Sequence, residues 1–135
     1  AAASSAPVWD KLAPELSDVQ LAELVRVLTG AGVRALVATN TWAQPVADGD
    51  GEAGLSGRRL RSRALDTVVR LVEHIAAAGA DLDIVASGGV LDGRDLLAFQ
   101  AAGARAAMLY SALVFRGPLA GALILREARR GAARA

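Results

Sequence analysis

At 135 residues the chain holds one domain at most, and its hydrophobic fraction of 53% supplies enough apolar surface for a core, which excludes disorder throughout. Fifteen basic and 14 acidic residues leave a net charge of +1, so no global field favours nucleic acid or an anionic membrane. The absence of cysteine excludes disulfides and thiolate metal sites, so any redox chemistry must come from a bound cofactor.

Residues 1–7, small and without an initiating methionine, are expected to form a disordered tail, and the sequence reads as a processed, cleaved or excerpted piece. Residues 8–135 are then the folded unit. A first strand is expected at 8–12, ending near Lys11, although Val8-Trp9-Asp10 is poorly apolar and Asp10 would need a partner if it faced an interior. Ser17 and Gln20 have capping-box spacing at the start of a helix whose apolar face is Leu21, Leu24, Val25 and Leu28. Ala31-Gly32 closes that helix, and Ala35-Leu36-Val37-Ala38 follows as a continuously apolar strand of the kind buried on both faces.

Residues 42–60 make an unusually long connection containing Gly49, Gly51, Gly54 and Gly57, of a length that tends to be functional or disordered. A second helix, about 63–78, places Leu65, Val68, Val69, Val72 and Ile75 at helical spacing and ends at Ala78-Gly79. The strand 83–86 runs into Ser87-Gly88-Gly89, and Asp92 caps a third helix packing through Leu96, Leu97 and Ala101. After Ala102-Gly103 comes a strand near 106–110, then a short turn at 111–115 and a last helix, about 119–130, with Pro118 suited to its first turn. Arg126, Arg129, Arg130 and Arg134 make its end basic, as befits a solvated last turn. His74, near a helix C-terminus where positive charge is favourable, is assigned no catalytic or metal role.

The repeat of strand, polar loop and helix ending in Ala-Gly implies parallel strands. Four such units are the half of a (β/α)8 barrel, whose full length is roughly 250 residues. Ligands in such folds bind beyond the carboxyl ends of the strands, where this chain has Lys11, Thr39-Asn40-Thr41, Gly88-Gly89 and Tyr110-Ser111. A phosphate suits the backbone amides of Gly88-Gly89 and of the turn after Ser111. Taken alone, the Gly-Gly pair also describes a tight turn, Lys11 a solvated strand end, and Asn40 and Thr41 turn residues satisfying their own backbone. Phe115 is expected in the core, Tyr110 reads as a core aromatic or a ligand contact, and Trp9 as cover for an open barrel edge.

Five segments in order and spacing, Lys11-Leu12-Ala13-Pro14-Glu15-Leu16, Ala38-Thr39-Asn40-Thr41, Gly54-Leu55-Ser56-Gly57-Arg58, Ser87-Gly88-Gly89-Val90 and the run from Leu109-Tyr110-Ser111 to Gly117-Pro118, resemble the dihydroorotate dehydrogenases, in their class 2, quinone-linked branch. The resemblance covers nearly everything from Lys11 onward and implies the C-terminal half of a TIM barrel. It implies oxidation of dihydroorotate to orotate in pyrimidine synthesis, with flavin mononucleotide (FMN) taking the hydride and a quinone taking the electrons. It further implies that Lys11, Thr39, Gly57, Gly89, Tyr110 and Ser111 contact FMN and that Asn40 and Thr41 contact the orotate ring.

The branch's catalytic serine lies in the earlier half of the fold, so no catalytic base and no metal site are assigned to this chain. Quinone would be met through the missing N-terminal part, and another stretch of chain or a second polypeptide would complete the barrel. The implied location is the mitochondrial inner membrane in a eukaryote, or the periphery of the cytoplasmic membrane in a bacterium, with no anchor in these residues. Trp42, bulkier than the small hydroxyl residue expected there, threatens to crowd the substrate loop. Trp42 and the degraded first strand support an alternative, a half barrel without turnover retained as a structural or interaction subunit.

Overall fold

The computed structural model describes residues 6–47 and 49–133, so most of the expected tail, and Arg134 of the basic end, lie outside the described residues. Strand β1 (Trp9–Leu12) leads to helix α1 (Asp18–Gly30), and β2 (Ala35–Ala38) enters a hairpin of β3 (Trp42–Pro45) and β4 (Glu52–Leu55). A 3-10 turn (Gly57–Leu60) opens directly into α2 (Arg61–Ala78), followed by β5 (Asp83–Ser87), α3 (Gly93–Ala101), β6 (Ala106–Met108), α4 (Ser111–Arg116) and α5 (Ala120–Ala132).

Four strands form one sheet in the order β1-β2-β5-β6. Every neighbouring pair is parallel, with Leu12 opposite Ala38, Ala38 opposite Ala86, and Ser87 opposite Met108. All four therefore end on the same side of the molecule, and β1 and β6 are its edges. This is the arrangement of four consecutive βα units of a barrel.

Side chains alternate across the sheet, and the two faces differ. Leu12, Leu36, Ala38, Ile84 and Ala86 join the buried residues of all the helices in the main core. Ala35, Val37 and Val85 form a separate small cluster on the other face. Trp9 and Met108 stay half exposed at the edges of that face, as expected of a barrel interior that further strands would close over.

Helix ends follow the local chemistry of the sequence. Ser17 Oγ accepts from the Gln20 N–H at 3.4 Å and Gln20 Oε1 accepts from the Ser17 N–H at 2.9 Å, completing the capping box on α1. Asp92 caps α3 by accepting from the N–H groups of Arg94 and Asp95 at 2.9 and 3.0 Å. Gly79, at φ 59°, closes α2 in the left-handed conformation that a Cβ would oppose.

Several expectations are corrected. Helix α2 begins at Arg61 and buries Ala64, Thr67, Val68 and Leu71, whereas Val69 and Val72 are exposed. Both stripes have helical spacing, and contact with α1 and β5 selects the one carrying Leu71. Phe115 is 82% exposed, because α4 is a single short turn beyond the sheet and its buried residue is Ala112. Phe99 takes the core position instead, while Ala101 is exposed. Pro118 precedes α5, which starts at Ala120, and so lies outside its first turn.

Asp10 does not face the interior: its register opposite Leu36 puts it on the helix-covered side, half-buried where the strand starts. The long connection is an ordered hairpin with Trp42 opposite Leu55. Gly49-Asp50-Gly51 at its tip is a turn signal that sequence alone offered and that went unread.

Candidate functional site

A cavity of about 440 Å³ opens at the carboxyl ends of the four parallel strands, within the size range of small-molecule sites. Lys11, Thr39, Asn40, Thr41, Gly57, Gly89, Tyr110 and Ser111 all line it. A larger crevice of about 780 Å³ lies between α3 and α5 and includes no strand residue. The smaller cavity is the better candidate, because the loops leaving the carboxyl ends of all four strands of the main sheet converge on it.

Lys11 stands at the end of β1 on the uncovered face, beside Val37 in register, with no carboxylate within 4.0 Å among the described residues. Its positive charge is therefore available to a ligand. Thr39 is buried, its N–H donating to Ser87 O at 2.5 Å and its hydroxyl to Asn40 O at 2.9 Å. The Asn40 N–H donates to Leu12 O at 2.7 Å, and Asn40 Oδ1 accepts from the Thr41 N–H at 2.9 Å. The carboxamide thus satisfies its own turn with its oxygen, leaving its NH2 group to donate elsewhere.

Trp42 does not crowd this loop. It turns out of the cavity, packs against the main core, and lies under the Arg63 guanidinium at 3.9 Å from the ring centroid. Arg63 also donates to Pro14 O at 3.2 Å, and the Ala43 N–H donates to Glu15 Oε1 at 3.3 Å, so the hairpin base is tied to the loop after β1. Gly54 is needed opposite: a Cβ there would collide with the Thr41 side chain.

In the cavity wall the Gly89 segment is pressed against the start of α2, and Gly57 stands in ordinary contact with Ser111. A Cβ on Gly57, at φ +65°, would stand 3.4 Å from Ser111 Oγ. One on Gly89, at φ +81°, would reach 2.5 Å from Arg61 Cβ and 2.7 Å from its Cα. The N–H groups of Gly89, Ser111 and Ala112 find no acceptor among the described residues. A glycine turn packed this closely at Gly89, with the free amides of Gly89, Ser111 and Ala112 beside it, makes a backbone cradle of the kind that accepts a phosphate.

Sequence reading missed Met108, which lines the cavity from β6. Its place opposite Ser87, two residues before Tyr110, could have been found from strand alternation. It also missed Ser56, although it lies inside the Gly54 to Arg58 motif, and Leu91, which reaches the cavity from the loop before α3 and carries no local signal of doing so.

A parallel α/β sheet whose strands deliver their ends to one cationic, amide-lined cavity is the ligand-binding face of a partial TIM barrel. Residues 1–130 match the family model described as "Dihydroorotate dehydrogenase". The chain belongs to the dihydroorotate dehydrogenase family. It is 37% identical over 119 residues to a "Dihydroorotate dehydrogenase (quinone)" of Chromobacterium violaceum, the match covering 83% of this chain and 33% of that protein. Over 117 residues it is 40% identical to the protein of the same description from Rhodospirillum rubrum, covering 83% of this chain and 31% of the relative. The crystal structure of ligand-free DHODH from Eimeria tenella superimposes with a TM-score of 0.77 at 28% identity, covering 89% of this chain and 34% of the other. The chain thus spans about a third of the length of the relatives it matches.

Proposed function

We propose that these residues form the FMN- and substrate-binding half of a quinone-linked dihydroorotate dehydrogenase, which oxidises dihydroorotate to orotate once the rest of the barrel is supplied. The observation that carries this reading is the convergence of Lys11, Asn40, Gly89 and Ser111 on one cavity from four separate strand ends. FMN fits the donor set, because the cavity has a glycine-lined amide cradle at one end and an unpaired lysine at the other.

FMN supplies the hydride acceptor. With FMN bound, Lys11 would hold its positive charge against the ring system and so favour negative charge there. Asn40, with its NH2 group, and Thr41, with its hydroxyl, orient the carbonyl and N–H groups of the substrate ring. Thr39, buried within the protein at the cavity wall, would line the ring system, and Gly57, Gly89, Tyr110 and Ser111 would hold the phosphate end mainly through backbone amides. The catalytic serine and the contacts for the quinone belong to the other part of the fold.

The exposed edges of β1 and β6, and the uncovered face carrying Trp9 and Met108, are where that part docks, as sequence of the same polypeptide or as a second chain. Among the described residues no helix is long and apolar enough to cross a membrane. Peripheral attachment to the cytoplasmic membrane is the reading in line with the bacterial relatives.

The test is to purify the natural protein or complex containing this chain, record its visible spectrum, and assay dihydroorotate-dependent reduction of a quinone. Flavin absorbance with turnover supports the proposal. A colourless complex that contains every partner and reduces no quinone refutes it in favour of an inactive structural subunit.

A further inference from the structure

Asp95 is the one charged residue among the buried described side chains, and its bonds exceed what its place in a helix requires. As the third residue of α3 it completes a capping box, with Oδ2 accepting from the Asp92 N–H at 3.3 Å. The same oxygen accepts from the Leu91 N–H at 3.0 Å, and Oδ1 pairs with Nε of Arg61. Arg61 is the first residue of α2, directly after the 3-10 turn that starts at Gly57. The pair therefore joins two loops that are 34 residues apart in sequence.

Both loops are walls of the phosphate cradle. Gly89 lies against the backbone of Arg61, and a Cβ on neighbouring Gly88 would come 2.8 Å from Leu60 Cδ2 and 3.1 Å from Ala64 Cβ. The turn from Gly88 to Asp92 is thus pressed onto the start of α2 by missing Cβ atoms, and held there by the Asp95 carboxylate. A carboxylate taking two loop amides and a guanidinium fixes the direction of the peptide planes between them.

We infer that Arg61 and Asp95 are positioning residues for the phosphate group of the flavin: their ion pair, buried on the Asp95 side and half-buried at Arg61, clasps the Gly57 and Gly89 loops in the spacing at which free amides meet a phosphate. This rests on the FMN reading above. Neither Arg61 nor Asp95 lines the cavity itself, so the clasp governs how the protein tells FMN from riboflavin, which has the same ring and no phosphate.

The experiment uses the natural protein or complex, stripped of flavin and titrated separately with FMN and riboflavin by fluorescence quenching. The wild type should favour FMN by at least about tenfold, the scale of hydrogen bonds to a charged group. Asp95→Asn should narrow that ratio to about twofold while leaving riboflavin affinity unchanged, and the charge-preserving Arg61→Lys should retain most of the preference. Amide exchange at Gly88 to Leu91 should accelerate in ligand-free Asp95→Asn, with the β2 amides unchanged. A wild-type preference that survives Asp95→Asn, or an equal loss of both flavins, overturns the clasp and leaves a merely structural ion pair. A wild type that does not distinguish the two flavins overturns instead the assignment of the cradle to a phosphate.

Discussion

Replacing Gly89 with alanine tests the cradle most directly, because a matched control exists in the same chain. Gly32 has nearly the same φ, +79° against +81°, but a Cβ there meets nothing within 4 Å. Gly32→Ala therefore incurs only the cost of a left-handed L-residue, about 1–2 kcal/mol. Gly89→Ala adds a collision with Arg61 Cβ at 2.5 Å and with its backbone at 2.7 and 2.9 Å, atoms that cannot swing aside as a side-chain tip would. Overpacking of this kind costs about 1–3 kcal/mol more. At about 3–5 °C per kcal/mol for a domain of this size, Gly89→Ala should melt at least about 3 °C below Gly32→Ala. Thermal unfolding and FMN titration of both variants, in the natural protein or complex, provide the assay, with flavin affinity falling in Gly89→Ala and holding in Gly32→Ala. Equal stability losses, or unchanged FMN affinity in Gly89→Ala, would refute the close packing of the Gly89 loop on α2 or its role in binding.

Lys11→Met should lower turnover by about a hundredfold, the scale for removing one charge-stabilising group, while FMN stays bound; steady-state kinetics with a flavin count decides it. Leu71→Ala should cost about 2–5 kcal/mol, whereas Val72→Ala, at a position 36% exposed, should cost under about 1 kcal/mol; chemical denaturation compares them, and reversed costs would restore the other face of α2 to the core. Glu127, held below the usual carboxylate range by the Arg116 guanidinium and then by the Gly93 N–H, contributes stability above its ordinary value of 4.5 that is lost as the pH falls below it. Glu127→Gln should therefore be less stable than wild type at pH 7, and the two should converge in acid; a constant gap from pH 7 to pH 3 in denaturation midpoints would contradict the linkage.

Much of this molecule can be read from local chemistry. Short strands separated by capped helices imply the parallel sheet, since a strand such as Ala35–Ala38 has no polar side to offer water and Ser17, Asp92 and Gly79 mark helix ends by bonds or conformations they make with near neighbours. The polar residues after each strand likewise announce the candidate site, because parallel strands bring their ends to one side whatever their order. What only the tertiary structure decided depends on contacts between distant residues. Periodicity along α2 allowed two apolar stripes, and the neighbours of Leu71 chose one; Phe115 is apolar but lies past the last strand, where no described element covers it. Trp42 could be judged a threat to the cavity until Arg63 and the core were seen to hold it aside, and nothing near Asp95 in sequence marks Arg61 as its partner. A residue's conformation answers largely to its neighbours in sequence, but its burial and its ion-pair partners answer to neighbours in space.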